Sequence, residues 1–511
     1  MPLSTRWGPK LMRTHETRMR QWSRRELCAA GAVAVARGTA AVDRPNLIIF
    51  YVDELRATAL KMYHPDGVDT PHLARLATRG VTFEHAFTPY PLCVPARASL
   101  WTGQYPHTNG SRSNQMPLGD DRPSMAAVLR EAGYRLGLFG KNHCFTPAQV
   151  ERWFEADYSF GSKSWNKALS PELLALVQKH RAWIKEQDSI PAFAPFPPEP
   201  FQTQLATDRA LEFIDAPSGR PFAAWISISD PHPPYQAPES FARLVPPAQL
   251  KLPPLPDGEV KTKNTRMQVF DYLVRGRELT ESFLRQYLSV YYAMTVFVDT
   301  QLGRVMDLLE RKHLAENTIV LFTADHGDFA TEHRLLQKTG CLLDCMVRIP
   351  LVVSWPGHLP RGSRERALVN QVDILPTLLG LCRLPAPRGI EGQPLPFARG
   401  DRRRSFVYSE YGAGDPQFTW EDARKIGPSP KLGVYSLNRP GEWDGLIKRE
   451  RGGHLQMIRT LTHKLIRDSN GEVEFYDLVK DPYELDNVHG RPGYRGFEDE
   501  LQRMLRSMGR A

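Results

Sequence analysis

The chain has 511 residues, more than the roughly 250–300 at which one hydrophobic core stops growing, so one large domain with a smaller companion is expected. An apolar content of 41% and a charged content of 24% are typical of globular proteins and exclude a disordered or fibrous chain. Six scattered cysteines without a C-x-x-C pair argue against a disulfide scaffold and against a structural zinc site. The net charge of +9 favours either anionic ligands or a generally basic surface. Because no basic run alternates with aromatic residues, we do not expect nucleic-acid binding.

The N-terminal segment has the three parts of an export signal. The paired arginines Arg24-Arg25 precede an apolar stretch from Leu27 to Ala36, and small residues follow from Gly38 to Ala41. The apolar stretch is about half of the ~20 residues needed to cross a bilayer, so we expect no membrane anchor. Arginines in this position resemble the twin-arginine signal. We therefore predict that residues 1–41 are a signal peptide and that the protein is periplasmic or secreted.

Short apolar runs then alternate with helical patterns. Each run is typical of a strand buried on both faces, and the runs are Leu47 to Val52, Tyr134 to Phe139, Phe222 to Ile228, Thr318 to Thr323 and Ile349 to Ser354. The helical patterns are Thr70 to Thr78, Ser124 to Ala132, Thr203 to Ile214, Glu281 to Arg311 and Val372 to Leu381. This alternation predicts an α/β fold with a large, mainly parallel sheet flanked by helices.

After about residue 400 the pattern changes to short strands of antiparallel type. These are Ser405 to Tyr411, Leu455 to Leu461, Lys464 to Asp468 and Val473 to Tyr476, and a final helix is predicted from Phe497 to Met508. We therefore predict a main domain of residues 42–400 and a smaller α+β subdomain of residues 401–511.

Charged and imidazole side chains follow four of the predicted strands. These groups are Asp53-Glu54, Lys141 with His143, His232 between two prolines, and Asp325-His326. Ligands of open α/β sheets bind beyond the carboxyl ends of the strands, so these groups are expected to converge on one crevice. Carboxylates there would suit a hard divalent cation, although solvated strand ends are an equally simple explanation for the acidic pairs. Taken together, the four strand ends predict an anion site built around a metal.

The segment Cys93-Val94-Pro95-Ala96-Arg97 supplies a candidate nucleophile. Pro95 favours the first turn of a helix that continues through Trp101, which places Cys93 at the helix N-terminus. Free N–H groups and the helix dipole favour an anion at that position. Arg97 lies one turn further on and can point back toward Cys93.

This ordered set resembles the sulfatase family of the alkaline phosphatase superfamily, and the resemblance runs from about residue 45 to residue 490. The hallmark of the family is a Cys-x-Pro-x-Arg element with a downstream Leu-Thr-Gly-type stretch, here Cys93 to Arg97 and Leu100 to Gly103. The other matching positions are Asp53, Lys141 and His143 in Gly-Lys-x-His, His232 in Pro-His-x-Pro, Asp325 to Gly327, the substrate lysine Lys338, Phe475 to Leu478 and Asp481 to Leu485.

The resemblance implies an alkaline phosphatase-like fold and hydrolysis of sulfate esters. In the family, a formylglycine-generating enzyme oxidises the motif cysteine, here Cys93, to an aldehyde whose hydrate attacks sulfur and then expels sulfate. The implied metal ligands are Asp53, Glu54, Asp325 and His326, and the implied ion is calcium, with magnesium or manganese as alternatives. An imidazole ligand at His326 would favour manganese.

Roles for the remaining residues follow from the same resemblance. The implied assignments are Arg97 and Lys141 orienting the nucleophile, Asp325 deprotonating it, His143 as the base of the elimination step, and His232 or Lys338 protonating the leaving alcohol. The chain departs from the family at Asp53-Glu54, where many members have Asp-Asp. Because glutamate is longer by one methylene, Glu54 is expected to bind the metal differently or not at all.

Three alternative functions are possible interpretations of this sequence. A sister hydrolase of phosphonate monoesters or phosphate diesters would need nearly the same site. A sulfated-glycan-binding protein with a decayed site would be expected to have lost some of these residues. A cysteine hydrolase would need an unmodified thiolate at Cys93 paired with a histidine.

Overall fold

The computed structural model describes residues 44–167, 169–187, 190–435 and 441–508. The chain from Arg44 onward forms one compact unit. The predicted signal peptide of residues 1–41, with Cys28, lies outside the described residues. Within the described part of the chain, no helix is both long and apolar enough to span a bilayer.

The strands of the described residues form three sheets. In chain order they are β1 (Asn46–Asp53), β2 (Gly80–Phe87), β3 (Arg135–Gly140), β4 (Ala156–Ser159), β5 (Ala192–Ala194), β6 (Phe222–Pro231), β7 (Gln236–Pro238), β8 (Thr318–Ala324), β9 (Arg348–Ile349), β10 (Leu351–Ser354), β11 (Ser363–Asn370), β12 (Val407–Tyr411), β13 (Leu455–Arg459), β14 (His463–Asp468) and β15 (Val473–Asp477).

The large sheet has the strand order β11-β2-β10-β8-β1-β6-β3-β4, and β9 adds a short pairing with β2. Neighbouring strands run parallel except that β10 is antiparallel to β2 and β8, and β9 is antiparallel to β2. The predicted mixed, mainly parallel sheet is therefore confirmed. All eight residues of the central strand β1 are buried, which explains why its sequence is apolar on both faces.

Helices surround this sheet. They are α1 (Pro71–Ala77), α2 (Cys93–Thr102), α3 (Pro106–Asn109), α4 (Met125–Glu131), α5 (Pro147–Trp153), α6 (Lys163–Lys167), α7 (Pro171–Gln187), α8 (Gln202–Asp215), α9 (Thr265–Val274), α10 (Glu281–Arg311), α11 (Asp344–Val347), α12 (Ile374–Leu381), α13 (Trp420–Ile426), α14 (Glu442–Arg451) and α15 (Arg495–Met508). The long helix α10 packs against α1, α8 and β6, while α2 packs against α4 and α12. A 3-10 turn, Gln371–Asp373, precedes α12.

Three strands of the large sheet were not predicted, and one predicted run is divided. The strands β2, β4 and β11 carry polar and charged residues among their apolar ones, so none of them shows an unbroken apolar run. The predicted run from Ile349 to Ser354 is split at Pro350, which lacks the N–H group that a strand donates, and its second part is the antiparallel strand β10.

The small sheet is antiparallel, in the order β12-β13-β14-β15, as predicted. Leu501 and Leu505 of α15 pack with Ile458 and Phe475 of this sheet. Asn370, at the end of β11, donates a hydrogen bond from its side-chain amide to the backbone oxygen of Tyr408. The two sheets are thus joined through the ends of β11 and β12.

A buried carboxylate holds the small sheet to the segment that follows α2. Glu410, on β12, accepts hydrogen bonds at 2.9 Å from both His107 Nδ1 and His454 Nε2, and the Tyr408 hydroxyl donates to it at 3.0 Å. Burial alone would raise the pKa of Glu410, but the hydrogen bonds from the two histidines outweigh burial and lower it to about 2. Ionised Glu410 therefore stabilises the contact between the small sheet and the segment that follows α2.

We predict that Glu410→Gln lowers the free energy of unfolding at pH 7 by about 2 kcal/mol, because hydrogen bonds to a charged acceptor are lost. The pKa of Glu410 is lower in the folded chain than its ordinary value of 4.5, so this stabilisation is present above pH 4.5 and is lost as the pH falls toward 2. Urea unfolding at pH 7, 5 and 3 should show the difference from wild type shrinking with acidity. The exposed Glu421→Gln is the matched control. Equal unfolding midpoints of wild type and Glu410→Gln at pH 7 would contradict the stabilising role of Glu410.

Candidate active site

The carboxyl ends of β1, β8, β3 and β6 meet at one edge of the large sheet, as the parallel pairing requires. The helix α2 begins at the same place, and its first residue is Cys93. The predicted groups that follow these strands are therefore brought together around the N-terminus of α2. The structure confirms that Cys93 starts a helix.

Arg97 lies at the centre of this region and is fully buried. Its Nη2 atom is 2.9 Å from Asp53 Oδ2 and 3.1 Å from Asp325 Oδ2, and all three side chains are 0% exposed. Its Nη1 atom donates to Ser227 Oγ at 2.6 Å and to the backbone oxygen of Lys141 at 3.0 Å. One guanidinium group thus connects β1, β8, β6 and the loop after β3.

Aromatic rings and neighbouring charges complete the surroundings of Arg97. The guanidinium carbon lies 5.0 Å from the ring centre of Tyr51. Burial and the negative charge of Cys93 act to raise the pKa of Asp53, but Lys141, His232 and Arg97 together hold it well below its ordinary value. Asp53 is therefore an ionised carboxylate although it is fully buried.

Cys93 is 1% exposed and points into this group of charges. Its Sγ atom is 3.4 Å from His326 Nε2, 3.5 Å from Lys141 Nζ and 3.6 Å from Asp53 Oδ1. Burial acts to raise the pKa of the thiol, but Lys141, Lys338 and His326 lower it well below its ordinary value. The structure therefore favours negative charge on the atom attached to Cβ of residue 93.

Four buried groups are placed as a metal site would require. The ligand atoms of Asp53, Cys93, Asp325 and His326 all lie within 4.8 Å of one another. The Nδ1 atom of His326 is 2.9 Å from the backbone oxygen of Gly327, and since that oxygen can only accept, Nδ1 carries the proton. When the ring is neutral, the lone pair of Nε2 is then directed at the other three groups, which is the usual arrangement for a ligating histidine.

The electrostatics of the same group favour a cation. Burial would lower the pKa of His326, but Asp325 and Cys93 raise it to about 9. The negative charges that stabilise an imidazolium ion here would also stabilise a divalent ion. Two carboxylates and one imidazole fit an ion that accepts both oxygen and nitrogen ligands.

Glu54 lies beside Asp53 in the chain, but its side chain contacts different partners. Its Oε2 atom forms an ion pair with Lys338 Nζ and lies 3.6 Å from His232 Nε2. Its backbone has a φ of +65°, a conformation that residues other than glycine rarely adopt. Asp53, Glu54 and His232 also form a second group with metal-ligand spacing. Glu54 is thus placed between the two candidate proton donors.

The remaining predicted residues lie toward solvent. The side chains of Lys141, Lys338 and His232 are 15%, 16% and 29% exposed. Burial, Lys338 and Lys141 lower the pKa of His232 to about 4. His143 is exposed and has a φ of +61°, and its hydrogen bond to the Cys93 thiol contributes to the lowered pKa of that group. All ten predicted residues therefore fall within one site.

Three further residues of the site were not predicted. Ser227 bridges Arg97 and Lys141, and its only sequence signal is a polar residue inside the apolar run of β6. Asn114 accepts a hydrogen bond from the backbone N–H of Val94 at 3.2 Å and donates one to Glu450 Oε1 at 3.1 Å. Neither Asn114 nor Glu450 belongs to a recognisable motif, so no sequence pattern predicts their contact.

Comparison with known proteins identifies the family. The sequence model of the family described as Sulfatase matches residues 45–384, well over half of the chain. An ulvan-active sulfatase of Formosa agariphila is 28% identical over 481 residues, covering 90% of this chain and 80% of that protein. An N-acetylglucosamine-6-O-sulfatase of Bacteroides thetaiotaomicron is 24% identical over 530 residues, covering 90% and 86%.

A solved structure confirms the fold. The phosphonate monoester hydrolase of Agrobacterium radiobacter superposes with a TM-score of 0.74 at 23% identity, covering 91% of this chain and 95% of that one. At this level of identity the likeness concerns the fold, which is the predicted alkaline phosphatase-like α/β architecture. From the extent of the family match, the chain belongs to the sulfatase family of sulfuric ester hydrolases.

Proposed function

We propose that this protein hydrolyses sulfate esters to an alcohol and inorganic sulfate, with Cys93 converted to formylglycine. The observation that carries the proposal is the position of the Cys93 side chain, buried at the N-terminus of α2 among Asp53, Lys141 and His326. After conversion, the hydrated aldehyde supplies one hydroxyl as nucleophile and a second that allows sulfate to be released.

The conversion fits the surroundings of residue 93. The groups that lower the pKa of the thiol would equally favour an ionised hydroxyl in the same place. Because Cys93 is only 1% exposed, a modifying enzyme has to reach it before the chain folds. We therefore propose transient recognition by a formylglycine-generating enzyme inside the cell, followed by export of the folded protein through the leader of residues 1–41 to the periplasm or beyond. On this view, residues 42–400 form the catalytic domain and residues 401–511 the smaller subdomain.

We propose that Asp53, Asp325 and His326 hold a divalent metal ion beside residue 93. The ion would polarise the sulfate oxygens and lower the pKa of the nucleophile. The resemblance to the family favours calcium, whereas an imidazole ligand favours manganese, and magnesium is the third alternative. Elemental analysis of purified protein distinguishes the three.

The charged residues around the site have separate tasks in this proposal. Arg97 fixes Asp53 and Asp325 in position, and Lys141 holds the nucleophile and offsets its charge. Asp325 is proposed as the base for the nucleophile, and His143 as the base for sulfate release. Lys338 and His232 lie together on the more exposed side, where one of them protonates the leaving oxygen.

We predict that mass spectrometry of the peptide spanning Cys93 shows the aldehyde in place of the thiol. Cys93→Ala should abolish release of sulfate from 4-nitrophenyl sulfate without changing the unfolding midpoint. The control is Cys382→Ala, a second buried free cysteine, located just after α12. Turnover by protein that carries only an unmodified thiol would refute the proposal. Faster hydrolysis of phenyl phosphonate esters than of any sulfate ester would favour the sister activity.

A second prediction concerns Glu54, for which the family resemblance implies either metal binding in a different way or none. Because its carboxylate pairs with Lys338, we expect Glu54→Gln to retain the metal-to-protein ratio of the wild type, whereas Asp53→Asn should lose metal. Turnover of an alkyl sulfate should fall about tenfold or more, and by a larger factor than turnover of 4-nitrophenyl sulfate, because poor leaving groups depend most on a proton donor. Elemental analysis and parallel kinetics measure both effects. Loss of metal from Glu54→Gln would instead identify Glu54 as a ligand.

A further inference from the structure

A carboxylate without a cationic partner lies close to the active site. Glu450, near the end of α14, is 4% exposed, and no lysine, arginine or histidine of the described residues forms an ion pair with it. Its neighbours along the chain have other partners. The guanidinium of Arg449 lies 4.0 Å from the ring centre of Tyr435, and Arg451 pairs with Asp415 at 2.8 Å.

Glu450 is linked by two hydrogen bonds in series to the backbone of Val94, the residue that follows the nucleophile. Asn114 donates from its side-chain amide to Glu450 Oε1 at 3.1 Å and from its backbone N–H to Oε2 at 3.4 Å. The side-chain oxygen of Asn114 in turn accepts from the N–H of Val94, the residue next to Cys93. Burial raises the pKa of Glu450, and the charge of Cys93 adds to this effect while Lys338 opposes it. Glu450 is therefore close enough to interact electrostatically with both Cys93 and Lys338.

Within the described residues, each oxygen of this carboxylate receives one hydrogen bond and can accept another. An ionised carboxylate can accept about four hydrogen bonds, and Asn114 supplies two. Burying such a charge without a counter-ion is costly, and placing it beside an anion site repels the sulfate group. Both costs are offset if the alcohol part of the substrate presents hydrogen-bond donors to Glu450.

We propose that Glu450 is a specificity-determining residue that binds hydroxyl or amino groups of the alcohol. This inference rests on the proposed sulfate-ester hydrolysis and assigns its substrates to esters of sugars and other polyols rather than of simple phenols. The same carboxylate disfavours alcohols that carry a second negative charge at this position.

The experiment compares one variant on two kinds of ester. Wild type and Glu450→Gln are assayed with 4-nitrophenyl sulfate, which has no donor in its alcohol part, and with N-acetylglucosamine 6-sulfate and galactose 6-sulfate. We expect the ratio of kcat/KM for the better sugar ester to kcat/KM for the aryl ester to fall about tenfold or more in Glu450→Gln, since a charged acceptor is replaced by a neutral one. Asp444→Asn, which removes an exposed carboxylate from the same helix, should leave the ratio unchanged.

The outcomes separate this inference from the proposed function. An equal loss on both kinds of ester means that Glu450 acts only by holding Asn114, and the inference is overturned. A wild type that cleaves 4-nitrophenyl sulfate but neither sugar ester also overturns it. A wild type that releases sulfate from none of these esters refutes the proposed function itself. Thermal unfolding of Glu450→Gln within a few degrees of wild type shows that the variant is folded.

Discussion

The arrangement of the site depends on the buried ion pairs of Arg97 with Asp53 and Asp325. Three charged side chains with no exposed surface are stabilised because each carboxylate contacts Nη2 of the guanidinium while Nη1 reaches Ser227 and a backbone oxygen. These contacts join the ends of three neighbouring strands to the first turn of α2. They therefore hold residue 93 at a fixed distance from the groups around it. A shift of α2 would take the guanidinium away from two buried carboxylates, so the fold itself keeps the nucleophile in position.

The end of β1 divides the site into two halves. The register of β1 against β6 shifts between Val52 and Asp53, and Glu54 follows with a positive φ. The two consecutive carboxylates consequently point in different directions. Asp53 contacts Arg97 and Lys141 on the side of the nucleophile, while Glu54 contacts Lys338 and His232 on the side where an alcohol would leave. A single backbone turn thus separates the region suited to a cation from the region suited to proton transfer.

The sequence predicted what local pattern and strand geometry determine. Apolar runs located five strands, and the rule that parallel strands end at one edge predicted that seven of the ten site residues lie together. The helix pattern after Pro95 placed Cys93 and Arg97, and Lys338 was predicted only from the family resemblance. The strand β11 was not predicted because charged residues at its start interrupt the apolar pattern, as expected for an edge strand. The pairing of Glu54 with Lys338 joins residues 284 positions apart, and that of Asn114 with Glu450 joins residues 336 apart. Such contacts depend on tertiary packing, which no local pattern encodes.

The small sheet contributes to the stability of the fold and also helps to position residues near the active site. The segment between β12 and β13 starts just after Glu410 and ends at His454, and it contains Glu450. Glu410 itself is hydrogen-bonded to His107, which lies shortly after α2, and to His454. Arg112 donates to the backbone oxygen of Gly412 at 2.7 Å, two residues before Asn114 meets Glu450. The contacts that hold the small sheet against the segment after α2 therefore also set the positions of Asn114 and Glu450. If Glu450 binds the alcohol as proposed, changes in this segment would alter which alcohol fits without disturbing Arg97, because the hydrogen-bond partners of Arg97 are Asp53, Asp325, Ser227 and Lys141, which lie outside it.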